Sequence, residues 1–78
     1  MITEYKHMHF TEHPKDKKRK TSKWDITHNK GAFILGEIKW HSPWRQYCFF
    51  PDDETLYSKG CLNDISNFIQ QLMAERKK

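Results

Sequence analysis

The sequence predicts an α+β domain, a small antiparallel meander of three or four strands with one C-terminal helix packed on one face. Three observations carry that prediction. Between Lys23 and Tyr57, apolar and polar residues alternate or form short aromatic runs, broken at 29–31, 42–43 and 51–54 by turn-forming residues. From Leu62 onward the apolar period lengthens to three and four. At 78 residues the chain has room for one domain and one small core.

The elements follow in order. LysTrpAspIleThrHis (23–28) alternates, with Trp24, Ile26 and His28 on one face of a strand. AsnLysGly (29–31) supplies a hairpin loop in which Gly31 takes a positive φ. The longest strand spans 32–41, with Ile34, Gly36, Ile38 and Trp40 on one face and Phe33, Leu35, Glu37, Lys39 and His41 on the other. SerPro (42–43) breaks it, because Pro43 has no N–H to give to a ladder. TrpArgGlnTyrCysPhePhe (44–50) reads as the third strand, and ThrLeuTyr (55–57) as a short last one. The helix stripe is Leu62, Ile65, Phe68, Ile69, Leu72 and Met73. Ser58 or Gly60 starts the helix, Asp64 lies near its positive end, and Arg76, Lys77 and Lys78 sit by its terminal carbonyls.

Charge divides the chain at Trp24. Seven basic residues (Lys6, Lys15, Lys17, Lys18, Arg19, Lys20, Lys23) face three acidic ones (Glu4, Glu12, Asp16) upstream, which accounts for the whole net charge of +4. The stretch 13–23 has no large apolar residue, so nothing offsets the roughly 1–2 kcal/mol per residue that ordering its backbone costs. Residues 1–23 are therefore expected to be a largely flexible basic arm, and 24–78 a single ββββα-like domain. Tyr5, Met8 and Phe10 offer anchors for an extra strand, but their alternation is imperfect.

One helix cannot cover both faces of a sheet, so the other meets solvent or a partner. Arg45 is the costliest residue of its strand to bury, which places Arg45, Tyr47 and Phe49 outward beside Lys39 and His41, with Phe33 and Leu35 adjoining. The opposite register buries Tyr47 and Phe49 and exposes Trp44 instead. An aromatic and arginine surface suits binding hot spots and single-strand stacking platforms. Aromatic residues also simply fit strands. Lys15, Lys17, Lys18, Arg19 and Lys20 suit phosphates and give salt-sensitive attraction; as a solvated tail they serve only solubility.

Catalytic and metal readings are weak. His7, His9 and His13 cluster, yet no Cys-x-x-Cys or second paired element completes a structural zinc site. Cys48 and Cys61 stand alone, Asp52, Asp53 and Glu54 are consecutive turn residues, and the three glycines are isolated. No enzyme, cofactor or metal is expected. Two cysteines are too few for a disulfide scaffold, and no apolar run approaches the roughly 20 residues that span a bilayer. A signal peptide is not evident either, so a soluble intracellular protein without a membrane partner is expected.

The run LeuGlyGluIleLysTrpHisSerProTrpArgGlnTyrCysPhePhePro (35–51), followed by CysLeuAsnAspIleSerAsnPheIle (61–69), resembles a group of short uncharacterised proteins encoded by bacteriophages and prophages. These share a Leu-Gly-x-Ile-x-Trp strand, a Pro-Trp-Arg-x-Tyr strand and a Cys-Leu-x-Asp-Ile-x-x-Phe helix in that order. The resemblance runs from about Trp24 to Met73 and implies a context, a small accessory protein in a bacterial cytoplasm, rather than an activity. The expectation is a non-enzymatic binding protein. Nucleic acid leads, held by Lys15, Lys17, Lys18, Arg19 and Lys20 with Lys39, His41, Arg45 and Tyr47. The alternative is an inhibitor or adaptor of a host protein, anchored by Trp44, Arg45, Tyr47 and Phe49. Homodimerisation through an unpaired sheet edge is a third possibility.

Overall fold

The computed structural model describes residues 1–14, 20–31 and 33–76. Strands β1 (Met8–Glu12), β2 (Lys23–His28), β3 (Ile34–His41) and β4 (Gln46–Pro51) lie in sheet order β1-β2-β3-β4, all antiparallel. Helix α1 (Lys59–Arg76) closes the chain and packs on one face. The α+β meander with a C-terminal helix is thus present, but its four strands are not the four expected. Thr55–Tyr57 forms no strand, and the place of a fourth strand is taken by β1, from within the expected arm.

The physical reason is apolar burial that the imperfect alternation concealed. Met8 is completely buried, and Phe10 lies parallel to Phe68 of α1 with ring centroids 4.0 Å apart. Tyr5 sets its ring edge-on to Phe10 and donates its hydroxyl to Asn67 Oδ1 at 2.6 Å. The Gln71 amide both accepts from the Ile2 N–H and donates to the Ile2 carbonyl, as a neighbouring strand would. Two stacked rings and several long-range hydrogen bonds offset the ordering cost of this segment. Residues 1–12 therefore belong to the folded unit, which begins well before Trp24. The run Lys15–Arg19 lies outside the described residues.

A bulge corrects the alternation in β3. Ile26 pairs with Gly36 but Thr27 pairs with Ile34, so Leu35 is the extra residue. Leu35 turns into the core, whereas Ile34 and Phe33 are exposed. Beyond the bulge, Ile38 is fully buried, as the alternation predicts. Gly36 is required by packing: a Cβ there would stand 2.6 Å from the Phe50 carbonyl oxygen. Gly31 has φ +104° in the β2–β3 loop, as its turn position demands.

On α1, Ile65, Phe68 and Leu72 are buried, and Ile69 and Met73 pack at the margin. Leu62, in the expected stripe, is exposed. Ser58 caps the helix by accepting the Cys61 N–H on its Oγ at 3.2 Å. No acidic residue occupies the first turn, Asp64 falling in the second. Tyr57, read as strand, instead braces the bulge by donating its hydroxyl to the Leu35 carbonyl at 2.6 Å, its ring edge-on to Phe49.

Candidate functional site

Among the described residues, no helix or strand packs on the face of the sheet away from α1, and its chemistry concentrates at the end where β1 stops and β2 begins. At this end, SerProTrp (42–44) winds into one 3-10 turn between β3 and β4, with Pro43 at its start. Arg45 follows in the left-handed region at φ 54°. That turn takes Trp44 and Arg45 out of the expected third strand, so the cost of burying Arg45 does not decide which face of the strand points inward. Tyr47 is consequently buried, at 7 % exposure, and Phe49 is half-buried against Tyr57; neither lies on an open patch. Leu35 leaves the patch through the bulge. Trp44, by contrast, is 66 % exposed, as in the opposite register. Tyr47 is held inside because its ring meets Trp40 edge-on and its hydroxyl receives the Ser22 backbone N–H at 3.2 Å.

The remaining expected residues do converge. Lys39 and His41 lie on the open face, and the Lys39 ammonium sits 4.5 Å from the centroid of Phe50. His41 is edge-on to both Trp44 and Phe50, at centroid distances of 5.0 and 6.1 Å. Phe50, His41 and Trp44 thus form an aromatic row beside Lys39. Phe50 was missed in the sequence because its face follows from that of Arg45 if both lie in one strand, and the 3-10 turn leaves Arg45 outside it. Lys20, described and exposed, brings the chain back to this end; Lys15, Lys17, Lys18 and Arg19 lie outside the described residues. Arg76 reaches the same end from α1 and stacks over Trp40 at 4.0 Å.

A second cluster lies on the open face beside this row. Register sets Lys23 opposite Lys39 and Asp25 opposite Glu37, two like-charge pairs that repel directly across strands. One diagonal and one same-strand contact relieve the repulsion: Glu37 meets Lys23 across the strands at 3.4 Å and Lys39 along β3 at 3.3 Å. Asp25 Oδ1 lies 2.8 Å from His13 Nε2. Although that distance is short, the alignment is not that of a hydrogen bond, and Nε2 is shielded from solvent without a hydrogen-bond partner. His13, Asp25 and Glu37 bring their ligand atoms within 4.8 Å of one another. In sequence these three stand twelve residues apart in each step, so only the strand register reveals the group.

At the other end of the sheet the character changes. Phe33, Ile34 and Leu56 are exposed around a shallow groove that Asp53, Glu54 and His28 also line, with Phe33 stacked on His28. Cys48 and Cys61 are free thiols, each half-buried. Burial raises the Tyr5 and Tyr57 phenols above their ordinary value.

With the geometry in hand, the chain can be set beside known proteins. No family model matches it, and no solved structure does. It is 39 % identical over 59 residues to an uncharacterized 9.3 kDa protein of Acholeplasma phage L2, a match covering 76 % of each chain. The chain belongs to the family of that phage protein. This agrees with the resemblance drawn from the Leu-Gly-x-Ile-x-Trp, Pro-Trp-Arg and Cys-Leu-x-Asp-Ile segments. In this phage family member, those segments supply β3, the 3-10 turn entering β4, and the first turns of α1. Among the described residues, no helix is long and apolar enough to cross a membrane.

Proposed function

We propose that this chain is a non-enzymatic phage accessory protein that binds single-stranded nucleic acid in the bacterial cytoplasm. One observation carries the reading: the 3-10 turn holds a solvent-facing indole, Trp44, in an aromatic row with His41 and Phe50, with Lys39 against Phe50. Bases stack on exposed aromatic faces with little regard to sequence, and cations alongside take the phosphates. Lys39, Arg45 and Lys20 supply cations at this end, and Lys15, Lys17, Lys18 and Arg19 are joined to it through the chain. Tyr47 has no place in this surface, being buried.

Fluorescence tests it directly, since Trp44 is the exposed tryptophan while Trp24 is buried and Trp40 lies beneath Arg76. Titration with a mixed-sequence oligonucleotide is expected to quench emission saturably in the parent chain. Trp44→Ala should remove the quenching and weaken binding by about 1–3 kcal/mol while leaving the fold intact. Unchanged affinity in Trp44→Ala contradicts the proposal.

A second reading, an inhibitor or adaptor of a host protein, is favoured by the apolar groove of Phe33, Ile34 and Leu56 at the other end. It moves the anchors away from Tyr47 and Phe49. Affinity purification from a bacterial lysate, with and without nuclease, distinguishes the two. Capture of one protein that survives nuclease and fails in Leu56→Asp supports the second reading.

A further inference from the structure

We infer that His13, Asp25 and Glu37 form a binding site for a divalent transition-metal ion of the zinc type, on the open face of the sheet. Three features converge. The site draws on three separate parts of the chain: His13 just after β1, Asp25 in β2 and Glu37 in β3. Its ligand atoms lie within 4.8 Å of one another. Three ligands on one zinc ion lie about 3.3 Å apart at bond lengths near 2.0–2.1 Å, so closure needs only small side-chain rotations.

The second feature is the state of His13. Its Nε2 is shielded from solvent and makes no hydrogen bond, although Asp25 Oδ1 stands 2.8 Å away. A shielded ring nitrogen beside a carboxylate oxygen, out of line for a hydrogen bond, is placed as two adjacent ligands of one ion are placed. The third is register. Asp25 and Glu37 oppose each other directly across β2 and β3, so two carboxylates from neighbouring strands stand side by side with His13.

Charge and ligand type select the ion. Lys23 and Lys39 already neutralise Glu37, at 3.4 and 3.3 Å, so the cluster carries no net negative charge with His13 neutral. Magnesium or calcium, held by charge and oxygen ligands, gains little there. An ion with an affinity for imidazole gains the His13 bond as well. Three protein ligands leave a fourth position for water or a further ligand. His13 stands two residues before Lys15, so the ion would fasten the start of the basic connection to the middle of the sheet. This inference is independent of the nucleic-acid reading.

The test is calorimetric titration of the full chain, stripped with chelator, using zinc chloride and, separately, magnesium chloride. One saturable zinc site per chain is expected, with affinity falling at least about tenfold in His13→Ala and in Asp25→Asn, and no comparable magnesium binding. Absence of saturable zinc binding, or a His13→Ala variant that titrates like the parent, overturns the inference. Imidazole NMR of the unsubstituted chain removes dependence on the folding of variants. Zinc should move the ring signals of His13, whereas movement of His7, His9, His28 or His41 without His13 contradicts the site.

Discussion

Gly36 shows how tightly single positions are set. Its missing side chain lets β4 approach β3 at the bulge, where a Cβ would press on the Phe50 carbonyl at 2.6 Å and on the Phe49 ring at 2.9 Å. Backbone cannot yield as a flexible side chain does, so Gly36→Ala is expected to destabilise the fold by about 1–3 kcal/mol, read as a lower urea midpoint. Tyr57 offers a test by pH. Burial, its main perturbation, raises the phenol above the ordinary value of 10.0, so the unfolded chain releases this proton first. Its contribution to stability is whole below pH 10.0 and is lost as pH rises through the higher folded value. Thermal unfolding midpoints should therefore fall above that pH, and less steeply in Tyr57→Phe. A decline as steep in Tyr57→Phe places its cause elsewhere.

At the scale of elements, β1 departs most from what the sequence alone indicates. Its Met8 and Phe10 are ordinary inward residues of an edge strand, but the third position of that face in this five-residue strand is the exposed Glu12, so no apolar alternation is sustained. Their partner surface, Phe68 on α1, is nearly sixty residues away, and no local pattern announces it. Deleting residues 1–12 is thus expected to unfold the chain, seen as loss of cooperative thermal unfolding; a truncated chain that melts like the parent would make the segment dispensable. By contrast, β2, the body of β3 and most of α1 were legible because their periods persist over several residues. Strand β4 was legible in existence but not in phase. Pro43 marks a break, yet nothing local distinguishes a direct turn from a 3-10 turn followed by a left-handed Arg45. That one detail exchanges Tyr47 and Phe49 for Phe50 and exposes Trp44. The like-charge pairs Lys23–Lys39 and Asp25–Glu37 were hidden for a related reason, since they exist only through the pairing of β2 with β3.

For the molecule as a whole, the surplus of +4 is a matter of topology as much as of composition. A basic segment that reads as a free leader is instead the connection between two paired strands, held at its return by Ser22, whose N–H donates to the Tyr47 hydroxyl. Both ends of that connection, the turn carrying Trp44 and Arg45, and the end of α1 with Arg76 meet at one end of the sheet. Nucleic-acid binding there should combine stacking, which is nearly indifferent to salt, with phosphate neutralisation, which is not. The most direct measurement is the affinity for a single-stranded oligonucleotide across a series of salt concentrations. If the five cations Lys15, Lys17, Lys18, Arg19 and Lys20 engage phosphates, they should contribute about −3.5 to the slope of log affinity against log salt. Replacing all five with glutamine should make the slope shallower by about that amount, leaving the share of Lys39 and Arg45, with the fold unchanged. Binding that is absent, or a slope that the replacement leaves as steep as in the parent, would contradict the account.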